Sequence, residues 1–94
     1  MEIRFRYDPE RMTLGDHITL EMVQDEPQAI KSSQLRDLLA HHMTNDAGEW
    51  IEKKAAYKIL NDLTDPQIES AITKLNMAIT GARAALIPPD NSGA

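Results

Sequence analysis

Between Thr64 and the proline pair Pro88-Pro89, the residues Ile68, Ile72, Leu75, Ile79, Ala82 and Leu86 recur at alternating steps of four and three. That spacing sets six small or aliphatic side chains on one stripe of a helix. The run Thr64-Asp65-Pro66-Gln67 supplies a hydroxyl cap, a proline in the first turn and a glutamine three residues past the cap, so the helix is expected to start there. It should stop before Pro88, because neither proline can donate to a helical ladder. A stripe of this length on a helix of about 20 residues needs a covering surface, and a chain of 94 residues has little core to spare for it. The seam Ile72, Leu75, Ile79, Ala82 and Leu86 is therefore expected to pack internally or against a partner.

The rest of the composition describes an ordinary small fold with 41% hydrophobic and 27% charged residues, hence one core and one domain over residues 1–88, followed by a short flexible tail at 89–94. Cysteine is absent, which excludes a disulfide scaffold and thiolate metal sites. The start MEIRFRYDPE alternates charged and apolar residues with no apolar core of a signal peptide, and no run approaches a membrane span. A cytoplasmic setting without membrane contact is the expectation. Net charge is −5, and all of it belongs to residues 1–50, which hold five Lys or Arg against ten Asp or Glu. An acidic first half and a neutral second half argue against generic nucleic-acid binding, which depends on clustered cations.

Along the chain, Ile3, Phe5 and Tyr7 alternate with Glu2, Arg4 and Arg6, the pattern of a short strand from Glu2 to Tyr7. A lone strand must pair somewhere, and Glu49-Trp50-Ile51 after the turn-like Thr44 to Gly48 is the best internal candidate. A first helix should span residues 14–24, capped by Thr13 with Asp16 at its third position and carrying Leu14, Ile18 and Met22 on one face. Asp25-Glu26-Pro27 ends it. Ser32 or Ser33 should cap a second helix with Leu35, Leu38, Leu39 and His42 or Met43 on its apolar face, ending at Asn45 to Gly48. A third is expected from Ile51 to Leu63, with Ile51, Ala55, Ile59 and Leu63 inward and Lys53, Lys54 and Lys58 outward. The expected fold is mainly α: a small bundle of about four helices with a short N-terminal β-strand.

Chemistry is hard to find in this pattern. His17 and Glu21, and likewise Asp37 and His41, lie one helical turn apart, yet two ligands do not make a metal site. His42 should pack against the leucine face while the adjacent His41 looks to solvent. No serine sits in a glycine-flanked elbow, the residues 45–49 lack the alternating ligands of a calcium loop, and the scattered glycines form no phosphate cradle. A helix-turn-helix built from the third and fourth helices would put Asp65 and Glu69 where basic groups belong. These residues imply no catalytic group, cofactor or metal, and favour an interaction protein over an enzyme. Among the aromatics, Trp50 stands beside a turn, where it either packs in the core or acts as a half-exposed binding anchor.

The runs MTLGDHITLE and LRDLLAHHMTNDAGEWIEKKAAYKILNDLT, followed by a long helix closing in IPPDNSGA, resemble the tail assembly chaperones of long-tailed phages and prophages over residues 12–94. The resemblance implies a small helical protein of the host cytoplasm that binds the tape-measure protein before tail tube subunits polymerise around it. It also implies action as an oligomer, in several copies along one client, to which Trp50 and the seam of the fourth helix, singled out above from their own positions, are the candidate partner-binding residues. Two other readings stay open. A small dimeric regulator or antitoxin-like protein would complete a dimer sheet with the N-terminal strand. An acidic inhibitor mimicking nucleic acid would present Asp16, Glu21, Asp25 and Glu26 to a basic enzyme.

Overall fold

The computed structural model describes residues 3–86, with side chains as far as Ala82; Glu2, the side chain of Leu86 and the expected tail at 89–94 lie outside the described residues. Among these residues the chain forms four helices, α1 (Leu14–Asp25), α2 (Ser32–His41), α3 (Lys53–Asn61) and α4 (Asp65–Leu86), and two short strands, β1 (Arg4–Phe5) and β2 (Met43–Thr44). The fold is the expected one, mainly helical with a small N-terminal sheet. Helix α2 lies at its centre, packed against α1, α3 and α4, and α4 also crosses β1. The core gathers Leu38, Leu39, Met43, Ala56, Leu60, Ala71, Leu75 and Ile79.

The N-terminal alternation is real but shorter than expected. Ile3, Phe5 and Tyr7 pack on the core while Arg4 and Arg6 are exposed, yet only Arg4 and Phe5 are strand. Their antiparallel partners are Thr44 and Met43, in the same chain. The expected partner, Glu49 to Ile51, instead reaches the far edge of β2: Trp50 bridges to Thr44, and the Ile51 N–H donates to the Met43 carbonyl at 3.2 Å. The residues between form a tight turn, in which Asn45 Oδ1 accepts from the N–H groups of Ala47 and Glu49 at 2.9 and 3.0 Å. Gly48 closes it at φ 81°, a conformation that side chains with a Cβ seldom adopt.

Helix α1 begins as expected. The Asp16 N–H donates to Thr13 Oγ1 at 3.1 Å, and Asp16 Oδ2 accepts from the Thr13 N–H at 3.4 Å, a complete capping box. Helix α2 is capped differently: Lys31 is its N-cap, Gln34 Oε1 accepts the Lys31 N–H at 3.0 Å, and Ser32 and Ser33 are the first two helical residues. It also ends at His41, short of the Asn45 turn, because Met43 and Thr44 are drawn into the sheet. Helix α3 is shorter than Ile51 to Leu63 and rotated so that Ala56 and Leu60 are buried and Ala55 is exposed, while Ile51, Ile59 and Leu63 pack half-buried on the core as expected. Tyr57 fixes that rotation, since its hydroxyl donates to the Asp37 carboxylate of α2 while Arg36 lies 4.1 Å over its ring. The three lysines do face solvent.

Helix α4 starts after Thr64, as the cap signal requires. The Thr64 hydroxyl, however, donates to the Gln67 side chain at 3.1 Å, and Gln67 Oε1 also accepts the Thr64 N–H at 2.9 Å. Its buried line is Ala71, Leu75 and Ile79, with Ile68, Ile72 and Ala82 half-buried beside it and Met77 69% exposed. Replacing Leu75 by alanine should remove about 2–5 kcal/mol of stability, while Met77→Ala should change it by less than about 0.5 kcal/mol, both read from urea unfolding midpoints. Gly81 is exposed in the helix and an added Cβ would meet nothing within 4 Å, so Gly81→Ala should raise thermal stability by about 0.5–1 kcal/mol.

Candidate functional site

Helix α1 buries an acid and a hydroxyl beside Leu20 and leaves two large apolar side chains in solvent among His17, Glu21 and Asp25. Its three buried residues are Asp16, Thr19 and Leu20, whereas Leu14 is 76% and Ile18 47% exposed. Leu14, Ile18 and Met22 do share a stripe, as their spacing requires, but it points away from the core, and only Met22 is half-buried. A single exposed leucine is ordinary; a stripe of large apolar groups on a helix that buries an acid needs a reason.

The reason on the inner side is a buried carboxylate. Asp16 is 2% exposed, and both its oxygens lie against Nδ1 of His41, at 3.0 and 2.9 Å. His42 is fully buried, with Nε2 3.4 Å from Asp16 Oδ2, and neither ring nitrogen makes a hydrogen bond. Burial holds the His42 pKa below its ordinary 6.5, against the opposing pull of the Asp16 charge. The carbonyls at this helix end are satisfied from the N-terminal segment: Arg11 Nε donates to the His41 carbonyl at 2.7 Å, and the Arg6 N–H donates to the His42 carbonyl at 3.0 Å. The guanidiniums of the same two arginines lie over the Trp50 ring, at 4.1 Å for Arg11 and 5.4 Å for Arg6.

Of the partner-binding residues expected from the sequence, Leu75 and Ile79 are interior, Ile72 and Ala82 are half-buried on the same side, and the Leu86 side chain is outside the described residues. Leu75 and Ile79 meet the core and cannot meet another molecule while the chain stays folded. Trp50 is half-buried under its two arginines. His41 does not look to solvent as expected; it is tied to Asp16. Asp37 serves Tyr57 instead of His41. His17 and Glu21 are both exposed. Among the described residues no group of three or more His, Asp and Glu side chains is placed to hold a metal ion, and no helix is long and apolar enough to cross a membrane.

Sequence reasoning missed the Asp16–His41–His42 cluster. An acid at the third helical position reads the same whether exposed or buried, and no periodicity links it to histidines 25 residues away. It also missed a groove of about 300 Å³ between α2, the end of α3 and the start of α4, floored by Leu35, Leu39, Leu60, Leu63 and Ile68. Arg36 lines this groove with its Nε buried and without a hydrogen-bond partner.

Replacing Asp16 by alanine removes a cap and strips two imidazoles of their carboxylate. The variant should lose about 2–4 kcal/mol in urea unfolding. Comparison of the chain with protein-family models, with curated proteins and with solved structures finds no match.

Proposed function

We propose that this chain is a small binding protein that takes an apolar helical segment of a partner onto the outer face of α1, and that the partner is the tape-measure protein of a long-tailed phage. The observation that carries the binding reading is the outward stripe of Leu14 and Ile18 on a helix whose inner face is Asp16, Thr19 and Leu20. Apolar side chains at i and i+4 are the usual anchors for helix-on-helix recognition. A long helical client exposed before assembly needs cover of this kind. The choice of client rests on the resemblance of residues 12–94 to tail assembly chaperones, and with it go a cytoplasmic setting in the phage host and action in several copies along one client. The role is binding, with no reaction assigned.

The other two readings have less to stand on. A dimer sheet would have to grow from β1, where Lys74 Nζ of α4 already lies 3.4 Å from the Ile3 carbonyl. A nucleic-acid mimic would lose Asp16, which is buried, from its acidic display.

The double variant Leu14→Glu/Ile18→Glu tests the proposal against a purified tape-measure segment in titration calorimetry. Because both side chains are exposed, the variant should keep its circular dichroism spectrum and lose at least about tenfold in affinity, equivalent to about 1.4 kcal/mol. Unchanged affinity in a folded variant would overturn the α1 surface, and affinity that collapses with salt for the native chain would favour the acidic mimic.

A further inference from the structure

We propose that Asp16, His41 and His42 form a proton-operated clamp that holds α1 against the end of α2 near neutral pH and releases it on mild acidification. The geometry supplies one carboxylate for two imidazoles. Both Asp16 oxygens lie within 3.0 Å of His41 Nδ1, so the carboxylate is already engaged by one imidazole. A proton arriving at His42 meets a ring that is 0% exposed and that, among the described residues, has no second carboxylate beside it. The charges acting on the His42 imidazole from its surroundings are those of Asp16 and His41, and its other polar neighbour is the Arg6 backbone, which favours the charged ring but carries no charge of its own. A further charge at this helix end is another cation, Arg11, bonded to the His41 carbonyl at 2.7 Å. A charged His42 is therefore a buried cation whose one carboxylate is already held by its neighbour.

Opening relieves that burial. Once α1 lifts away, His42 is hydrated and takes its proton at the ordinary value near 6.5, which the closed form resists because burial lowers its pKa. Above 6.5 His42 is neutral in both forms and its burial does not oppose the closed state. As pH falls below 6.5 the opened form gains by up to about tenfold per pH unit, until the closed-form pKa is reached. Leu20 is the single fully buried apolar residue of the helix, with Met22 and Val23 half-buried, so the polar contacts at its first turn carry a large share of its attachment. The outer face of this same helix carries Leu14 and Ile18, so the clamp would set whether the proposed docking stripe is displayed on a fixed helix; that consequence rests on the binding reading, while the clamp does not.

Amide hydrogen exchange along the whole chain, at about pH 7.5 and about pH 5.5 with intrinsic rates corrected, reads the clamp without any partner. Protection in residues 14–25 should fall by at least about tenfold more than in α3 and α4 on acidification. In His42→Leu that difference should vanish; should the leucine variant not fold, His42→Gln, which also cannot charge, replaces it. Equal loss of protection in all four helices, no loss at all, or a response that survives in the non-titrating variant would each overturn the proposal. Selective release of α1 together with binding that ignores Leu14→Glu/Ile18→Glu would leave the clamp standing and remove the binding reading. A partner held by α1 with no acid release would do the reverse.

Discussion

The last turn of α2 ends inside the protein, so its carbonyls need donors that water cannot supply. Arg11 and the backbone of Arg6 provide them, and much of the architecture follows. Bringing Arg6 to His42 aligns β1 with β2; bringing Arg11 to His41 sets the turn before α1 and so the place where Thr13 can cap it. The two guanidiniums then cover Trp50, which pins the far edge of β2 and the approach to α3. One buried helix terminus thereby organises the N-terminal segment, the sheet and the first helix together.

The buried acid of α1 belongs to the same junction. A carboxylate at the third position of the helix satisfies the Thr13 N–H and receives His41, so one side chain serves both cap and interface. Polar contacts of this kind are directional and fail sharply when a proton or a partner is missing, whereas apolar burial weakens gradually. The helix is accordingly positioned well and bound by few large groups, while its Leu14 and Ile18 remain outside.

How far the sequence could be read depended on whether a signal was local. The Thr13 cap, the start of α4 before Asp65-Pro66 and the alternation of Ile3, Phe5 and Tyr7 are decided by neighbours in the chain, and all three are found. The face of α3 was legible in part: Ile51, Ile59 and Leu63 pack on the core, but Ala56 replaces Ala55 inside, with Tyr57 bonded to Asp37, 20 residues earlier. The end of α2 was not legible, because pairing with a strand 38 residues upstream stops a helix that its own composition would continue. The seam of α4 was legible as apolar, but periodicity does not say whether an apolar stripe faces its own core or another molecule; Leu75 and Ile79 face their own core. The outward stripe of α1 and the buried acid behind it are visible only once the chain is folded.

The lysine that crosses from α4 to the strand of two residues carries a last consequence. An open strand edge is a template on which a second chain can add, and repeated addition is the beginning of a fibre. Here the edge is only Arg4 and Phe5 long, its exposed side chains are arginines, and Lys74 stands against the neighbouring carbonyl of Ile3. However crowded the copies of this chain, an edge this short and this charged is a poor place for polymerisation to begin.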